Sequence, residues 1–469
     1  MSNGKMTTES PKPSNLAEAE VIYPGDDGYD EARSVFNAMI DKRPTLIVRP
    51  TTASQVIDSV NLARERDLPV AVRCGGHSVS GMGTCDDGLL INLSLMKGVD
   101  VDPTARTARV NAGVLAGELD RDTQVFGLAT PSGRVTTTGV GGFTLGGGYG
   151  WLSPKYGLAC DNLISVDVVT ADGRLVKASE SENEDLFWGV RGSSSNFGVV
   201  TTYEFRLHPV GPTIYSGMVM HPIADAKERL RAWRDYAEEA PEELSTATAI
   251  FRAPPEPFVP SELHGQPVLG MLVMYIGDPD EGVEVVRPLK ELGPPAVDGI
   301  ERMPYTAFQE ILDPTAPWGT QVYNSGEHLR ELSDEAIDTF VDYASRLETP
   351  LSQAILFRHG GAVGRVPDDA MAAGHRDAAY LMHPIAVWDD PAESDRHISW
   401  CRDLCAAMRP HTTGGVYLNM TMDEGEGRVR AGYSAAKYQR LVALKDKYDP
   451  DNLFSVNQNI KPSRSERSR

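Results

Sequence analysis

Apolar and polar positions alternate along residues 45–210 with two periods, one typical of strands and one of helices. A short apolar run, Leu46–Arg49, precedes a segment with helical spacing that begins at Ser54 and continues to Arg66. Because serine commonly caps helix N-termini, we expect Ser54 to cap this helix. A second apolar run, Val70–Arg73, follows and ends in glycines. The pattern predicts a β-α-β unit that leads into a glycine-rich turn.

Further strands and a hairpin are predicted before a change of pattern at Gly211-Pro212. The strand-like segments are 88–93, 107–112, 165–170 and 199–207, and Asp172-Gly173 marks a hairpin turn that returns at Leu175. Beyond residue 212, amphipathic helices over 224–239 and 333–347 alternate with strands over 267–275 and 354–358. The elements predict an α+β protein with two main domains, and the polar ends, 1–20 and 463–469, are predicted to be disordered.

Composition and charge argue against several classes of partner. The 469 residues carry a formal net charge of −21, which suits neither nucleic acid nor an anionic membrane surface. No window is apolar over the length of a membrane span, and the N-terminus lacks the apolar core of a secretion signal. The five cysteines are odd in number and form no metal-binding cluster with histidines. We expect a cytoplasmic protein that acts on a small molecule and binds no metal.

The densest motif is a run of twelve residues, 139–150, of which seven are glycine. Because glycine has no Cβ, the backbone N–H groups of such a run can approach a ligand closely and bind an anion such as phosphate. A flexible linker is the alternative, but Phe143, Tyr149 and other apolar side chains interrupt the run. The run predicts one wall of a site for an anionic ligand.

A second glycine motif, Arg73-Cys-Gly-Gly-His77-Ser, follows the strand that ends at Arg73. Its amides lie together at a strand end, as in phosphate-binding loops, and His77 is either a ligand-contacting residue or an ordinary hydrogen-bonding one. Neither the Rossmann G-x-G-x-x-G pattern nor the Walker A pattern occurs in the chain. Two glycine loops without either pattern suggest a dinucleotide bound in another fold.

Four motifs in this order and spacing resemble the FAD-linked oxidases of the vanillyl-alcohol oxidase type, in their berberine bridge enzyme-like branch. The motifs are Arg73–Ser78, Gly139–Leu152, Tyr156–Asn162, and Tyr448–Phe454 with Asn457–Ile460. The resemblance implies an α+β, two-lobed FAD-binding fold of PCMH type with a separate α+β substrate domain, an antiparallel sheet covered by helices. It assigns 21–212 to the FAD-binding domain, 213–408 to the substrate domain, and 409–462 to a segment that returns to the FAD domain.

The resemblance also implies a covalently bound FAD. In the family, the histidine at the position of His77 bonds to the 8α-carbon of the flavin, and a neutral imidazole is a competent nucleophile for this. Further cofactor contacts implied in the same way are those of Arg73, Cys74, Gly75, Gly76, Ser78, Gly81, Val135, Thr138, Gly139, Gly141, Gly142, Gly146, Gly147, Gly148, Gly150, Asn162, Val199, Tyr417, Asn419, Asn457 and Asn459.

Two positions before the glycine run depart from common members of the family. Many relatives carry a cysteine that makes a second flavin link where this chain has Val135, so we expect a single link, through His77. Thr138 occupies the position that gates oxygen access, where oxidases carry a small β-branched apolar residue and dehydrogenases a bulkier one. By its volume, Thr138 favours an oxidase that uses dioxygen.

The resemblance implies hydride transfer from a substrate C–H to flavin N5, with a base that takes the accompanying proton. Tyr417 is the first candidate base and Tyr149 the second; Met420 stands where many relatives have another tyrosine. The predicted reaction is oxidation of a CH–OH group of a sugar, alcohol or secondary metabolite. The alternatives are oxidation of an amine, ring closure on an alkaloid- or polyketide-like substrate, a dehydrogenase that does not use dioxygen, or a non-catalytic flavin carrier.

Overall fold

The computed structural model of the chain describes residue 16 and residues 18–466. The strands of its N-terminal part are β1 (Glu20–Ile22), β2 (Leu46–Arg49), β3 (Val70–Arg73), β4 (Leu89–Asn92), β5 (Val99–Asp102), β6 (Thr107–Asn111), β7 (Leu128–Ala129), β8 (Leu163–Val169), β9 (Leu175–Ser179), β10 (Val199–Arg206) and β11 (His208–Pro209). The helices of this part are α1 (Tyr29–Arg33), α2 (Ala53–Glu65), α3 (Ala116–Gln124), α4 (Val140–Leu145), α5 (Ser153–Tyr156) and α6 (Glu184–Val190).

The predicted β-α-β unit is present in a mixed sheet of order β1-β2-β4-β3. Strands β2 and β3 both run parallel to β4, which lies between them. The predicted cap of α2 is wrong: the Thr52 side chain accepts a hydrogen bond from Gln55 N at 3.3 Å, because Thr52 is the last extended residue and Ser54 already lies inside the helix. An antiparallel sheet of order β5-β6-β10-β8-β9 contains the predicted hairpin, in which Gly173 has a φ of +77°.

The rest of the chain builds a larger antiparallel sheet and the helices that cover it. Its strands are β12 (Thr213–Pro222), β13 (Leu244–Arg252), β14 (Pro267–Tyr275), β15 (Val297–Asp298), β16 (Glu301–Pro304), β17 (Gln321–Asn324), β18 (Glu327–Leu329), β19 (Gln353–Arg358), β20 (Tyr380–Trp388) and β21 (Thr412–Val416). The helices are α7 (Ala226–Glu239), α8 (Pro279–Lys290), α9 (Tyr305–Gln309), α10 (Asp334–Ala344), α11 (Ala362–Arg365), α12 (Ser394–Met408), α13 (Glu426–Ala431), α14 (Ala435–Tyr448) and α15 (Ser463–Glu466).

Strand alternation gives the large sheet two different faces. On β19, Ile355 and Phe357 belong to the core shared with the N-terminal part, whereas Ala354 and Leu356 pack in a second core with residues of α7, α8, α10 and α12. The sheet order is β15-β12-β14-β13-β19-β20-β18-β21, with β16 on β12 and β17 on β20. One face is thus closed by helices, and the other is turned toward the glycine loops of the N-terminal part.

Several predicted segment boundaries need correction. Leu16 is buried and β1 begins at Glu20, so the predicted disordered segment, 1–20, extends too far along the chain. Residues 1–15 and 17 lie outside the described residues. At the other end, α15 occupies Ser463–Glu466, and 467–469 again lie outside. The predicted domain boundary at 408/409 assigns β21 to the C-terminal segment. In the structure, β21 extends the large sheet by pairing with β18. Pairing at the edge of the sheet determines where this strand belongs, and composition does not reveal such pairing.

The C-terminal segment contacts the N-terminal part through the buried side chain of Lys445, whose charge is paired within its own segment. Lys445 lies 2.7 Å from Asp449, and both side chains are fully buried. The remaining donors of Lys445 reach the carbonyl oxygens of Asn196 and Phe454, each at 2.9 Å. No helix within the described residues combines the length and the apolar composition needed to cross a bilayer.

Candidate active site

A cavity of about 340 Å³ lies between the open face of the large sheet and the glycine loops. The N-terminal part contributes residues 72–80, 82, 83, 133–135, 138, 139 and 141–143 to its wall, and the C-terminal segment contributes 417–421 and 456–458. Alternate residues of three neighbouring strands form another part of the wall, namely Val322, Asn324, Gln353, Ile355, Phe357, His383, Ile385 and Val387. Period-2 alternation therefore explains which side chains of the sheet reach the site.

The cavity brings together most of the residues predicted for it. The predicted residues in its wall are Arg73, Cys74, Gly75, Gly76, His77, Ser78, Val135, Thr138, Gly139, Gly141, Gly142, Tyr149, Tyr417, Asn419 and Asn457. The predicted residues that do not line it are Gly81, Gly146, Gly147, Gly148, Gly150, Asn162, Val199 and Asn459. The structure explains several of these differences.

The two glycine motifs contact each other directly. A Cβ atom built on Gly75 would lie 2.4 Å from the backbone nitrogen of Gly139, and one built on Gly139 would lie 2.5 Å from Cys74 Sγ. Since both distances are too short for any larger residue, the absence of side chains at 75 and 139 serves the contact between the loops. At Gly142, by contrast, nothing lies within 4 Å of the Cβ position, so that site is open for a ligand.

The second half of the glycine run packs against protein rather than facing the cavity. A Cβ on Gly146 would lie 1.9 Å from Asn419 Oδ1, and one on Gly150 would lie 2.1 Å from the carbonyl oxygen of Ser132. Gly147 and Gly148 have φ values of +114° and +86°, a region that favours glycine. These four glycines make a tight turn after α4, and their contact with the cofactor stays a prediction.

Two predicted asparagines and a valine are used elsewhere. Asn162 Nδ2 donates to the carbonyl oxygens of Tyr156 and Leu158, each at 2.9 Å, which fixes the loop before β8. Val199 and Val200 are consecutive on β10, so their side chains point to opposite faces, and Val200 is the one in the cavity wall. Asn459 lies outside the wall, although its Oδ1 is buried without a hydrogen-bond partner in the described structure.

His77 is presented by a rigid loop. Its Nε2 lies 2.7 Å from Thr137 Oγ1, and its ring stacks on Phe36 with centroids 4.5 Å apart. The loop is anchored by Arg73, whose guanidinium donates to Ala32 O at 2.9 Å, and Gly76 allows the turn with a φ of +72°. Burial lowers the pKa of His77 to about 4, so the imidazole is neutral at neutral pH.

Tyr417 and Tyr149 play different parts in the wall. Tyr417 Oη accepts hydrogen bonds from the backbone nitrogens of Gly148 and Tyr149, at 2.8 and 2.9 Å. Burial raises the pKa of Tyr417, and the two N–H groups oppose that rise because they stabilise a phenolate. The hydroxyl of Tyr149 instead donates to Arg358 O at 2.6 Å, and burial raises the pKa of Tyr149 to about 12. Of the two, Tyr417 is better arranged to take a proton.

Asn457 supports the prediction for the C-terminal segment. Its Nδ2 donates to Ser195 O at 3.2 Å and to Phe454 O at 2.9 Å, which leaves Oδ1 buried and, within the described structure, without a partner. Three features of the wall fit a large polar cofactor such as FAD. They are the open space beside Gly142, the neutral imidazole of His77 and this unused amide oxygen. Among the described residues that line the cavity, none is a carboxylate that would repel its diphosphate.

Arg134 is the main site residue that the motif analysis missed. It lines the cavity, and its guanidinium carbon lies 3.6 Å from the ring centroid of Phe357. A signal was present in the sequence, since Arg134 is the one charged residue between Asp122 and Lys155. Buried segments rarely contain an isolated charge without a use for it.

Known proteins resemble this chain over most of its length. The family described as FAD binding domain matches residues 44–179, and the family described as berberine and berberine like matches residues 416–461. An FAD-linked oxidoreductase of Dictyostelium discoideum is 35% identical over 451 residues, which are 95% of this chain and 95% of that protein.

Solved structures share the architecture. The 6-hydroxy-D-nicotine oxidase from Arthrobacter nicotinovorans superposes with a TM-score of 0.87 and 28% identity, over 97% of this chain and all (100%) of that one. A carbohydrate oxidase from Microdochium nivale superposes with a TM-score of 0.84 and 25% identity, over 96% of this chain and 98% of that one. These likenesses confirm the predicted α+β, PCMH-type fold.

Proposed function

The chain belongs to the berberine bridge enzyme-like family of FAD-linked oxidoreductases, and on that premise we propose that it oxidises a CH–OH group of a small molecule, a sugar, an alcohol or a secondary metabolite. The bound FAD would supply the hydride acceptor, its N5 atom. The observation that carries the proposal is the pair of backbone N–H groups that converge on Tyr417 Oη in the cavity wall.

Tyr417 is the proposed base. In its phenolate form, Tyr417 would accept the hydroxyl proton of the substrate at Oη while the C–H hydride leaves to the flavin. The N–H groups of Gly148 and Tyr149 favour that phenolate before the transfer, and the product is a neutral phenol. The positive charge of Arg134 attracts a phenolate at Tyr417 as well. Tyr149 is the weaker candidate because its proton is engaged by Arg358 O.

We propose His77 as the single point of covalent attachment to FAD. Val135, which lines the cavity, offers no nucleophile, and Cys160 is buried outside the cavity wall, with its sulfur 3.6 Å from the sulfur of Met371. Cys74 is a thiol in the wall, but burial raises its pKa and so disfavours the reactive thiolate.

Acid precipitation tests the attachment. We expect a yellow pellet from the wild-type protein, a yellow pellet from Cys74→Ser, and a colourless pellet from His77→Ala with FAD released to the supernatant. Flavin that stays with the precipitated His77→Ala protein would contradict the assignment. Mass spectrometry of the flavin-bearing peptide then identifies the attached residue.

Dioxygen is the proposed electron acceptor. Thr138 lines the cavity, and its side chain occupies the space beside Gly133, where a Cβ would lie 2.9 Å from Thr138 Cβ. A small residue in that place leaves a path for a diatomic molecule. Stopped-flow mixing of the reduced protein with dissolved dioxygen tests this, and slow reoxidation would indicate a dehydrogenase instead.

Amine oxidation is the second candidate, favoured by the similarity to 6-hydroxy-D-nicotine oxidase. The unpaired charge of Arg134 counts against it, because a protonated amine in the same cavity would be repelled. Anaerobic bleaching of the flavin by matched alcohols and amines decides between the two. Bleaching by amines alone would contradict CH–OH oxidation, and a protein that no member of a broad panel bleaches would indicate a carrier.

A further inference from the structure

Arg134 lies in the cavity wall with its donors unused. The residue is only 9% exposed, and its Nη1 is buried without a hydrogen-bond partner. Among the described residues, no carboxylate or carbonyl oxygen forms a hydrogen bond or an ion pair with this guanidinium. Its neighbours are aromatic rings, with centroids 3.6 Å away for Phe357, 5.1 Å for Tyr149 and 5.8 Å for Trp151.

Two other arginines that are buried or partly buried have acceptors for part of the guanidinium, although the Nε of Arg376 is also buried without a partner. Arg376, which is 4% exposed, forms two hydrogen bonds of 2.7 Å to the carboxylate of Asp161. Arg191 also lies over an aromatic ring, that of Phe187, but it additionally donates to backbone carbonyl oxygens. The contrast matters because aromatic faces attract the charge of a guanidinium but leave its N–H groups without acceptors.

The surroundings of Arg134 favour a negatively charged oxygen group. Burial lowers the pKa of Arg134 to about 10, so the group remains charged at neutral pH. The nearby His383 adds no competing charge, since burial lowers its pKa to about 3, and its Nε2 accepts from Asn324 Nδ2 at 3.2 Å. The planar fork of a guanidinium matches the two oxygens of a carboxylate, and the flat rings beside it suit a planar molecule.

We propose that Arg134 binds a carboxylate of the substrate, so that the preferred substrates are planar or conjugated acids. The inference rests on the proposed function, because it names the substrate class of the same cavity. Arg134 is then a specificity-determining residue: it orients the substrate through its carboxylate while Tyr417 faces the carbon to be oxidised.

The test uses benzoate and benzamide, which have the same shape but differ in charge, titrated into the flavin-loaded protein at pH 8. Binding is followed by the change in the visible absorption of the flavin. For the wild type we expect a Kd at least tenfold lower for benzoate than for benzamide. In Arg134→Met this preference should vanish while the Kd of benzamide changes less than threefold, and Arg134→Lys should retain part of the preference.

The control variant is Arg440→Met, which removes an exposed guanidinium stacked 3.9 Å over Trp188, away from the cavity. It should leave the preference unchanged. Equal Kd values for benzoate and benzamide in the wild type, or an undiminished preference in Arg134→Met, would overturn the inference. A lowered flavin reduction potential in Arg134→Met with an unchanged benzoate preference would also overturn it, since the charge would then act on the flavin.

The outcome separates this inference from the proposed function. A purified protein that lacks a flavin spectrum after reconstitution with FAD contradicts the proposed function. A yellow protein that does not distinguish benzoate from benzamide contradicts only the role of Arg134. Should Arg134→Met fail to fold, the comparison of the two probes in the wild type and in Arg134→Lys still decides the question.

Discussion

Replacing Tyr417 with phenylalanine tests the proposed base most directly. The change removes one oxygen atom and keeps the ring, so the cavity wall retains its shape. If Tyr417 Oη takes the substrate proton, its loss should slow flavin reduction by about 10²–10⁴-fold, the usual contribution of a positioned general base. At 1.36 kcal/mol per tenfold, this corresponds to about 3–5 kcal/mol in the activation free energy.

The same change also affects stability, and the structure indicates by how much. The N–H groups of Gly148 and Tyr149 lose their shared acceptor. A buried, unsatisfied donor costs about 1–3 kcal/mol, so Tyr417→Phe should lower the free energy of unfolding by about 2–6 kcal/mol. For a chain of 469 residues the unfolding entropy is about 1 kcal/mol per kelvin, so the melting temperature should fall by about 2–6 °C. The variant should therefore be folded and flavin-loaded at 25 °C.

Anaerobic stopped-flow measures the flavin reduction rate with a substrate that bleaches the wild type, over a range of pH. In the wild type the rate should rise with pH, because burial raises the pKa of Tyr417 and the phenolate is the active form. In Tyr417→Phe both the rate and its pH dependence should be lost. The matched control is Tyr149→Phe, which loses one donation to Arg358 O and should remain within about tenfold of the wild type. A Tyr417→Phe rate within tenfold of the wild type would refute the assignment.

Two further predictions concern the supports of the site. Asp120 of α3 accepts hydrogen bonds from Ser132 Oγ and Gln309 Nε2. Burial raises the pKa of Asp120 to about 7 from 3.8, so its contribution to stability is complete below pH 4 and is lost as the pH rises through 7. Between pH 4 and 8, the free energy of unfolding of the wild type should fall by about 4 kcal/mol relative to that of Asp120→Asn, or by about 4 °C in melting temperature. The same pH dependence of melting temperature in both proteins would contradict this. Gly75→Ala should lower the melting temperature and the flavin content because its Cβ meets Gly139, whereas Gly142→Ala should leave the melting temperature within about 1 °C. Equal stability of these two variants would contradict the contact between the loops.

The sequence patterns predicted the positions of strands and helices better than they predicted the roles of single residues. The strand over 267–275 agrees with β14 because a long apolar run between polar ends leaves little choice of register. The position of β21 in the sheet depends on its pairing with β18, a contact between segments more than 80 residues apart, and no local pattern encodes it. Strand alternation on β19 explains in retrospect why Phe357 faces the cavity, but the sequence does not say which face is open.

The glycines show a similar limit. Their density correctly indicated close approach of the backbone, but not what approaches it. At Gly75 and Gly139 the partner is another loop, at Gly146 it is Asn419, and at Gly142 nothing is within 4 Å. Since all four positions look alike in the sequence, only the tertiary arrangement separates a ligand-facing glycine from a packing one.

The charge of the cavity and the charge of the whole protein have opposite signs, and burial explains how this serves one site. The net charge of −21 is spread over the surface, where salt screens it within about 8 Å at physiological ionic strength. Inside, desolvation lowers two pKa values, that of His77 to about 4 and that of Arg134 to about 10. Because the two groups start from very different values, the same physical effect leaves the histidine neutral and the arginine charged at neutral pH. The cavity thus holds a neutral imidazole and a guanidinium cation, and neither charge state depends on the acidic surface.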